Sequence, residues 1–275
     1  MTIGDIVAQA QEFVNTSKNN YICDSVALSR ECAGMKIFDS PILAFGCPDD
    51  EIYLEFKSPD VVGDDFLLPL QWLESAKTII SFFLPYTQQV KSANSRDFQW
   101  PADEWLHARY DGQLFLKEFA LFLQTIFEDA GAKCIIPSFD DRFKIRDIRD
   151  KTSTGENKFS SSWSERHVAY ACGLGTFGIS KGLITDKGIC GRFGSILTEL
   201  NLEKNTRPYN NIYEYCCQCG ACVKTCPVGA ISAKESKNDL LCAEFIDKTY
   251  ERHNPRYGCG KCQVGVPCES KIPCS

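Results

Sequence analysis

Four cysteines, Cys216, Cys219, Cys222 and Cys226, stand in the order C-x2-C-x2-C-x3-C, and Pro227 follows at once. No other stretch constrains the chain so tightly. An iron–sulfur cubane needs four thiolates converging on it; the first three here wrap one corner of a cluster, and the turn at Pro227 carries the fourth away to a second one. Zinc sites are usually built from two separated pairs, a different pattern.

A second cysteine group is therefore required downstream. Cys242 lies in the apolar run LLCAEFI, and Cys259, Cys262 and Cys268 lie in YGCGKCQVGVPCE. By the exchange of ligands between clusters in bacterial ferredoxins, Cys216, Cys219, Cys222 and Cys268 are expected to hold one [4Fe-4S] cluster, and Cys226, Cys242, Cys259 and Cys262 the other. The second group is irregular, so Cys274 competes with Cys268, and Cys217 with Cys216, for a ligand position. Of the 16 cysteines, ten follow residue 215, which marks a boundary near residue 205. The expected domains are 1–205, an α/β unit, and 206–275, a ferredoxin-like two-cluster module.

Disulfides are not expected, because they need an oxidising compartment. The N-terminus MTIGDIVAQAQEF has no positively charged segment followed by an apolar core, so a cytoplasmic protein is expected. No apolar run approaches the ~20 residues that span a membrane. A formal charge of −6 with pI near 5.2 gives no footprint for non-specific nucleic-acid binding, and nucleic acid is expected to be no partner.

Ile3, Ile6, Val7, Ala10, Phe13 and Val14 recur at helical spacing and predict an amphipathic first helix ending near Asn15 to Ser17. Residues 33–70 alternate short apolar runs (KIF, ILAF, IYLEF) with Pro, Gly and Asp clusters, as short strands and turns do. Lys77 to Pro85, KTIISFFLP, reads as a strand buried on both faces. Leu114 to Ala130 reads as a long helix capped by Gly131, and KCIIP as a further buried strand. Strand, helix, strand gives an α/β core. The polar piece 140–157 is expected to loop over the surface or over a site.

In SSWSERHVAYACGLGTFGIS, Ser162 and Glu165 form an S-x-x-E capping-box pattern, so a helix is expected from about Trp163. Gly173, Gly175 and Gly178 end it in a glycine-rich turn, which permits positive φ and close approach to something flat or bulky. The turn lacks the preceding strand and the spacing of a dinucleotide fingerprint. GLIT (182–185) and GSILTEL (194–200) are expected to return to the core as strands.

The segment ERHVAYACGLGTFGISKGLITDKGICGRFGSILTEL resembles the corresponding segment of epoxyqueuosine reductases, and the matching glycine-rich segment of reductive dehalogenases. In both families it leads into a two-cubane module. The resemblance implies a nitroreductase-like α/β sandwich of the corrinoid-binding type, with cobalamin held base-off against a cubane, and a low-potential electron donor such as ferredoxin or flavodoxin. Flavin is the alternative cofactor, since such a sandwich also suits it. Epoxyqueuosine reductases carry an Asp six residues before the Glu of their E-R pair; Phe159 stands there in this chain. Their helical-repeat tail and the twin-arginine signal of respiratory dehalogenases are also not matched.

On this reading Trp163, Arg166, Gly173, Gly175 and Gly178 are candidate cofactor contacts, and Tyr110, His107 and His167 are candidate proton donors. The expected function is a corrinoid-dependent iron–sulfur reductase of a small molecule. An electron-transfer or reactivating partner without corrinoid, and a flavin-using reductase, are the alternatives.

Overall fold

The computed structural model describes residues 1–150 and 159–273. Cys274 and the end of the polar loop, with Glu156 and Asn157, lie outside them. In chain order the elements are α1 (Ile3–Thr16), β1 (Ile42–Gly46), α2 (Ile52–Glu55), α3 (Pro69–Trp72), β2 (Thr78–Pro85), α4 (Gln88–Asn94) and α5 (Asp103–Asp129). Then come β3 (Cys134–Ile135), β4 (Ile145–Arg146), β5 (Ser160–Ser161), α6 (Glu165–Ala171), β6 (Gly175–Phe177), β7 (Leu183–Thr185) and β8 (Gly191–Thr198). The cysteine-rich end holds α7 (Ala221–Lys224), β9 (Ile231–Ser232), β10 (Ser236–Lys237) and α8 (Asp239–His253).

β2 is the centre of a four-stranded sheet in the order β1-β2-β8-β3, with every neighbouring pair antiparallel. Every residue of β2 is buried, because both faces of the sheet are covered. Ile80, Phe82 and Leu84 point into a cluster with Phe115, Phe119 and Leu123 of α5 and Ile6, Ala10 and Val14 of α1. Ile79 and Phe83 point the other way, to Val168, Ala169 and Cys172 of α6 and to Tyr53, Phe66, Trp72 and Trp163. This period-two division explains an unbroken apolar run. Each fully buried Phe contributes roughly 1.5–3 kcal/mol of transfer free energy.

α1 starts at a capping box between Thr2 and Asp5, and its Phe13 stacks on Phe122 of α5 with ring centroids 4.2 Å apart. α5 begins at Asp103, well before the expected Leu114, and runs for 27 residues to Asp129, with Gly131 at φ +78° just beyond its end. His107 and Tyr110 are therefore mid-helix residues.

Three further expectations are corrected. IYLEF holds a short helix, α2, rather than a strand. The box of Ser162 and Glu165 does not form: the Ser162 hydroxyl donates to the Arg142 carbonyl and accepts from the Lys144 N–H, and α6 starts after Ser164. β7 does not join the main sheet but pairs with β6 as a two-stranded ribbon. That ribbon docks the cysteine-rich end: the Phe177 N–H donates to Ile212 O (2.7 Å) and the Tyr215 N–H to Thr176 Oγ1 (2.8 Å). Among the described residues no helix is long and apolar enough to cross a membrane.

Candidate iron–sulfur sites

The eight cysteines separate into the two expected sets, each around its own cavity. Cys216, Cys219, Cys222 and Cys268 line one with Ile184, Ile189, Val266 and Gly178. Cys226, Cys242, Cys259 and Cys262 line another of about 380 Å³. Each set rings a hollow; among the described residues no three His, Cys, Asp or Glu side chains converge as they do on a single ion. Cys217 and Cys219 are exposed, and Cys217 lies at the edge of the first cavity.

Local backbone explains how one short stretch serves both cavities. Gln218 at φ +50° and Gly220 at φ +70° coil the chain after Cys216. The one-turn α7 then presents Cys222, and Pro227 turns Cys226 towards the second cavity, where its sulfur accepts the Ala230 N–H at 3.2 Å. Such hydrogen bonds to sulfur tune cluster potentials. Cys268 is brought in by the α/β part: the Ile189 N–H donates to Cys268 O at 2.9 Å. A Cβ on Gly188 would stand 2.4 Å from Glu269 O, so this close approach needs glycine.

The loop of Cys259 and Cys262 is held as firmly. Asn94, at the end of α4, donates from Nδ2 to Cys259 O (3.0 Å), and Lys261 Nζ donates to Asn94 O (2.8 Å) and Oδ1 (3.0 Å). Gly260 lies against the Trp105 ring, where a Cβ would come within 1.8 Å. Cys242 is placed by α8, whose Asn238 side chain accepts the Leu241 N–H. Burial pushes the Cys259 and Cys268 thiols up to about 12 and the Cys222 thiol to about 11. Binding of iron at these sites displaces the thiol protons, as metal ligation by thiolate requires.

The other candidates fall elsewhere. Trp163 is a core residue: it is 1% exposed, stacks on Phe66 and donates from Nε1 to Ser195 Oγ at 2.8 Å. Arg166 is exposed and donates to Lys181 O, while Lys181 Nζ reaches Asp239 at the start of α8. It clasps two elements rather than lining a cavity. His107 is wholly buried, with Nδ1 2.6 Å from Asp111 Oδ2 and Nε2 accepting the Leu28 N–H at 3.0 Å. Both nitrogens are committed to the fold, with the proton on Nδ1. His167 packs between Phe56 and Phe177, and burial pushes it down to about 3, so it is neutral. Tyr110 lies under the Arg256 guanidinium, outside both cavities.

The glycine turn is also corrected. Gly173, at φ +94°, ends α6. Gly175 faces Ile184 across the ribbon, where a Cβ would meet its carbonyl oxygen at 2.0 Å. Only Gly178 borders a cavity, with its open side 3.8 Å from Cys216 Sγ. The chain's own backbone, and no flat ring, fills the space that Gly173 and Gly175 leave. That turn does not fit a corrinoid.

The larger cavity has a second wall that the spacing of cysteines could not indicate: Tyr86, Trp105, Arg109, Arg192 and Lys237, with the half-exposed Phe159 at its margin. Arg192 donates to the Gln113 side-chain oxygen, and Arg109 lies over the Tyr257 ring. Burial and the neighbouring Arg109 push Arg192 down to about 10. The polar loop crosses towards this side, since Arg149 pairs with Asp247 of α8 at 2.6 Å.

Comparison with known proteins follows the same division. The family described as 4Fe-4S binding domain matches residues 210–232. An epoxyqueuosine reductase of Staphylococcus aureus is 30% identical over 114 residues, 38% of this chain and 29% of that protein. Among solved structures, the epoxyqueuosine reductase of Streptococcus thermophilus matches with TM-score 0.52 at 18% identity, over 98% of this chain and 66% of that one. An epoxyqueuosine reductase solved with an epoxyqueuosine-modified tRNA stem loop matches with TM-score 0.53 at 19% identity, over 84% and 62%. The chain thus spans under a third of the curated relative, and about two thirds of the solved ones.

Proposed function

We propose, from the likeness of this chain to the epoxyqueuosine reductases, that it is an iron–sulfur oxidoreductase carrying two [4Fe-4S] clusters. The observation that carries this reading is the gathering of eight cysteines, four and four, around two cavities. Cys216, Cys219, Cys222 and Cys268 ligate one cluster, and Cys226, Cys242, Cys259 and Cys262 the other. Bound, the clusters supply single electrons at low potential. The chain's own part is to fix both cubanes against one rigid sandwich. The β6–β7 ribbon holds the first set and Asn94 and Trp105 hold the second.

The acceptor that the family resemblance implies is a corrinoid. The glycine turn does not fit one, since backbone fills the space beside Gly173 and Gly175. The substrate reading also changes. A composition of −6 suggested a small molecule and no nucleic acid, yet a relative of the same fold holds a tRNA stem loop. Overall charge does not exclude RNA when a local surface makes the contact, so a tRNA-borne epoxide is the substrate class proposed here. Low-potential electrons come from a ferredoxin or flavodoxin in the cytoplasm.

Anaerobic reconstitution tests the reading: about eight irons and eight sulfides per chain are expected, and saturation at about four overturns it. Reduced protein should bind an epoxyqueuosine-bearing stem loop more tightly than the same loop with guanine. A failure to do so, with full iron, overturns the substrate and leaves the clusters.

A further inference from the structure

The two cysteine cavities differ in charge. Arg109, Arg192 and Lys237 line the cavity of Cys226, Cys242, Cys259 and Cys262, and among the described residues no carboxylate does. Only apolar and neutral groups line the cavity of Cys216, Cys219, Cys222 and Cys268. A fourth cation belongs to the second set: Lys261, between Cys259 and Cys262, is 0% exposed, and its ammonium meets only the two oxygens of Asn94. Of these cations only Lys237 has a carboxylate within 4 Å among the described residues, Asp239 at 3.9 Å, which Lys181 already holds; Lys261 feels Asp97 at longer range without an ion pair. A buried ammonium without a counter-charge is costly. An anionic thiolate-ligated cubane beside it supplies that charge.

Reduction makes a cubane one unit more negative, so nearby cations favour the reduced form and raise the potential, the more so in a site shielded from water. Water at the exposed Cys219 acts in the same sense on the first cluster. It touches one ligand, however, whereas four formal positive charges surround the second set. We propose that the second cysteine set holds the higher-potential cluster, where an electron on this chain comes to rest, and that Lys261, Arg192 and Lys237 set that order. The inference rests on the two-cluster reading above. Each step is the uptake of one electron by a cubane from a one-electron donor, dithionite in the test and a ferredoxin or flavodoxin in the cell, with no bond made or broken.

The test is a potentiometric titration of the full chain, reconstituted to about eight irons, with reduced clusters counted by electron paramagnetic resonance. Two separate steps are expected. Lys261→Met and Arg192→Gln should each move the upper step to lower potential, changing the reduced-to-oxidised ratio at fixed potential on the order of tenfold, and leave the lower step in place. Cys242→Ser should alter the signal that appears in the upper step. Coincident steps, an upper step unmoved in both cation variants, or a Cys242→Ser effect on the lower step would overturn the proposal. Wild-type protein that fills with only about four irons refutes the two-cluster reading itself, a result distinct from a wrong order of potentials.

Discussion

Glu165 and His167 sit two residues apart on α6, and burial displaces them in opposite directions. Glu165 is pushed up to about 7, with Oε2 accepting from Ser195 and Oε1 buried without a partner. His167 is pushed down to about 3. Folded Glu165 keeps a proton that the unfolded chain has lost, so its contribution falls as pH rises from about 4.5 to about 7. Folded His167 refuses a proton that the unfolded chain takes, so its contribution is present above pH 6.5 and is lost as pH falls towards 3. Stability should therefore peak in the mildly acidic to neutral range. Between about pH 4.5 and 6.5 the two slopes oppose one another, so Glu165→Gln should leave stability rising across that range and gain at most about 3 kcal/mol above pH 7, measured by denaturant titration at several pH values. An unchanged slope would show that Glu165 ionises freely. A second residue-scale expectation concerns Gly175, which has no room for a Cβ beside Ile184 O. Gly175→Val should abolish soluble folded protein altogether; a folded variant with normal iron content would contradict the packing described.

At the scale of elements, the cysteine loops depend on scaffolding from the sandwich. Asn94→Ala removes the bond to Cys259 O and the Oδ1 contacts with Lys261 Nζ and the Ala102 N–H, leaving Lys261 with the main-chain carbonyl of residue 94. The variant should lose about half its iron, from the second set, while far-ultraviolet circular dichroism stays that of the wild type. Loss of the whole fold, or full iron, would refute this division of labour. The elements also show what a sequence can reveal. That Cys216, Cys219 and Cys222 share one cavity while Cys226 turns to another was legible, because C-x2-C-x2-C-x3-C-P encodes geometry in spacing. β2 and α1 were legible because apolar period follows burial. The glycine turn was misread: Gly175 pairs with Thr185, which brings the Ile184 carbonyl against it, an approach that only the β6–β7 register reveals. The cations of the second cavity come from α5, β8, β10 and the Cys259–Cys262 loop, which meet only in three dimensions. The start of α5 was missed because its first turns mix charged residues with buried Trp105 and His107.

For the whole molecule, the proposed reading requires a chain of net charge −6 to meet an RNA substrate. Along the whole chain acids outnumber bases 36 to 30, so away from a local basic patch few phosphates would be neutralised. Binding should then depend weakly on salt, since the slope of log K against log[salt] scales with the phosphates engaged. Recognition must come from the modified base rather than the backbone. A stem loop carrying epoxyqueuosine should bind more tightly than the same loop with guanine, and the difference should survive added salt. Phe159 adds a second arm: it borders the larger cavity, at the position where the family resemblance implies an acid. A proton donor there should speed an epoxide opening, so Phe159→Asp should raise turnover of the modified stem loop, by up to the 10²–10⁴-fold that a positioned general acid contributes. Binding of the two loops with equal affinity and a steep salt slope would mark the contact as non-specific. Slower turnover in Phe159→Asp would place the reacting group away from this cavity.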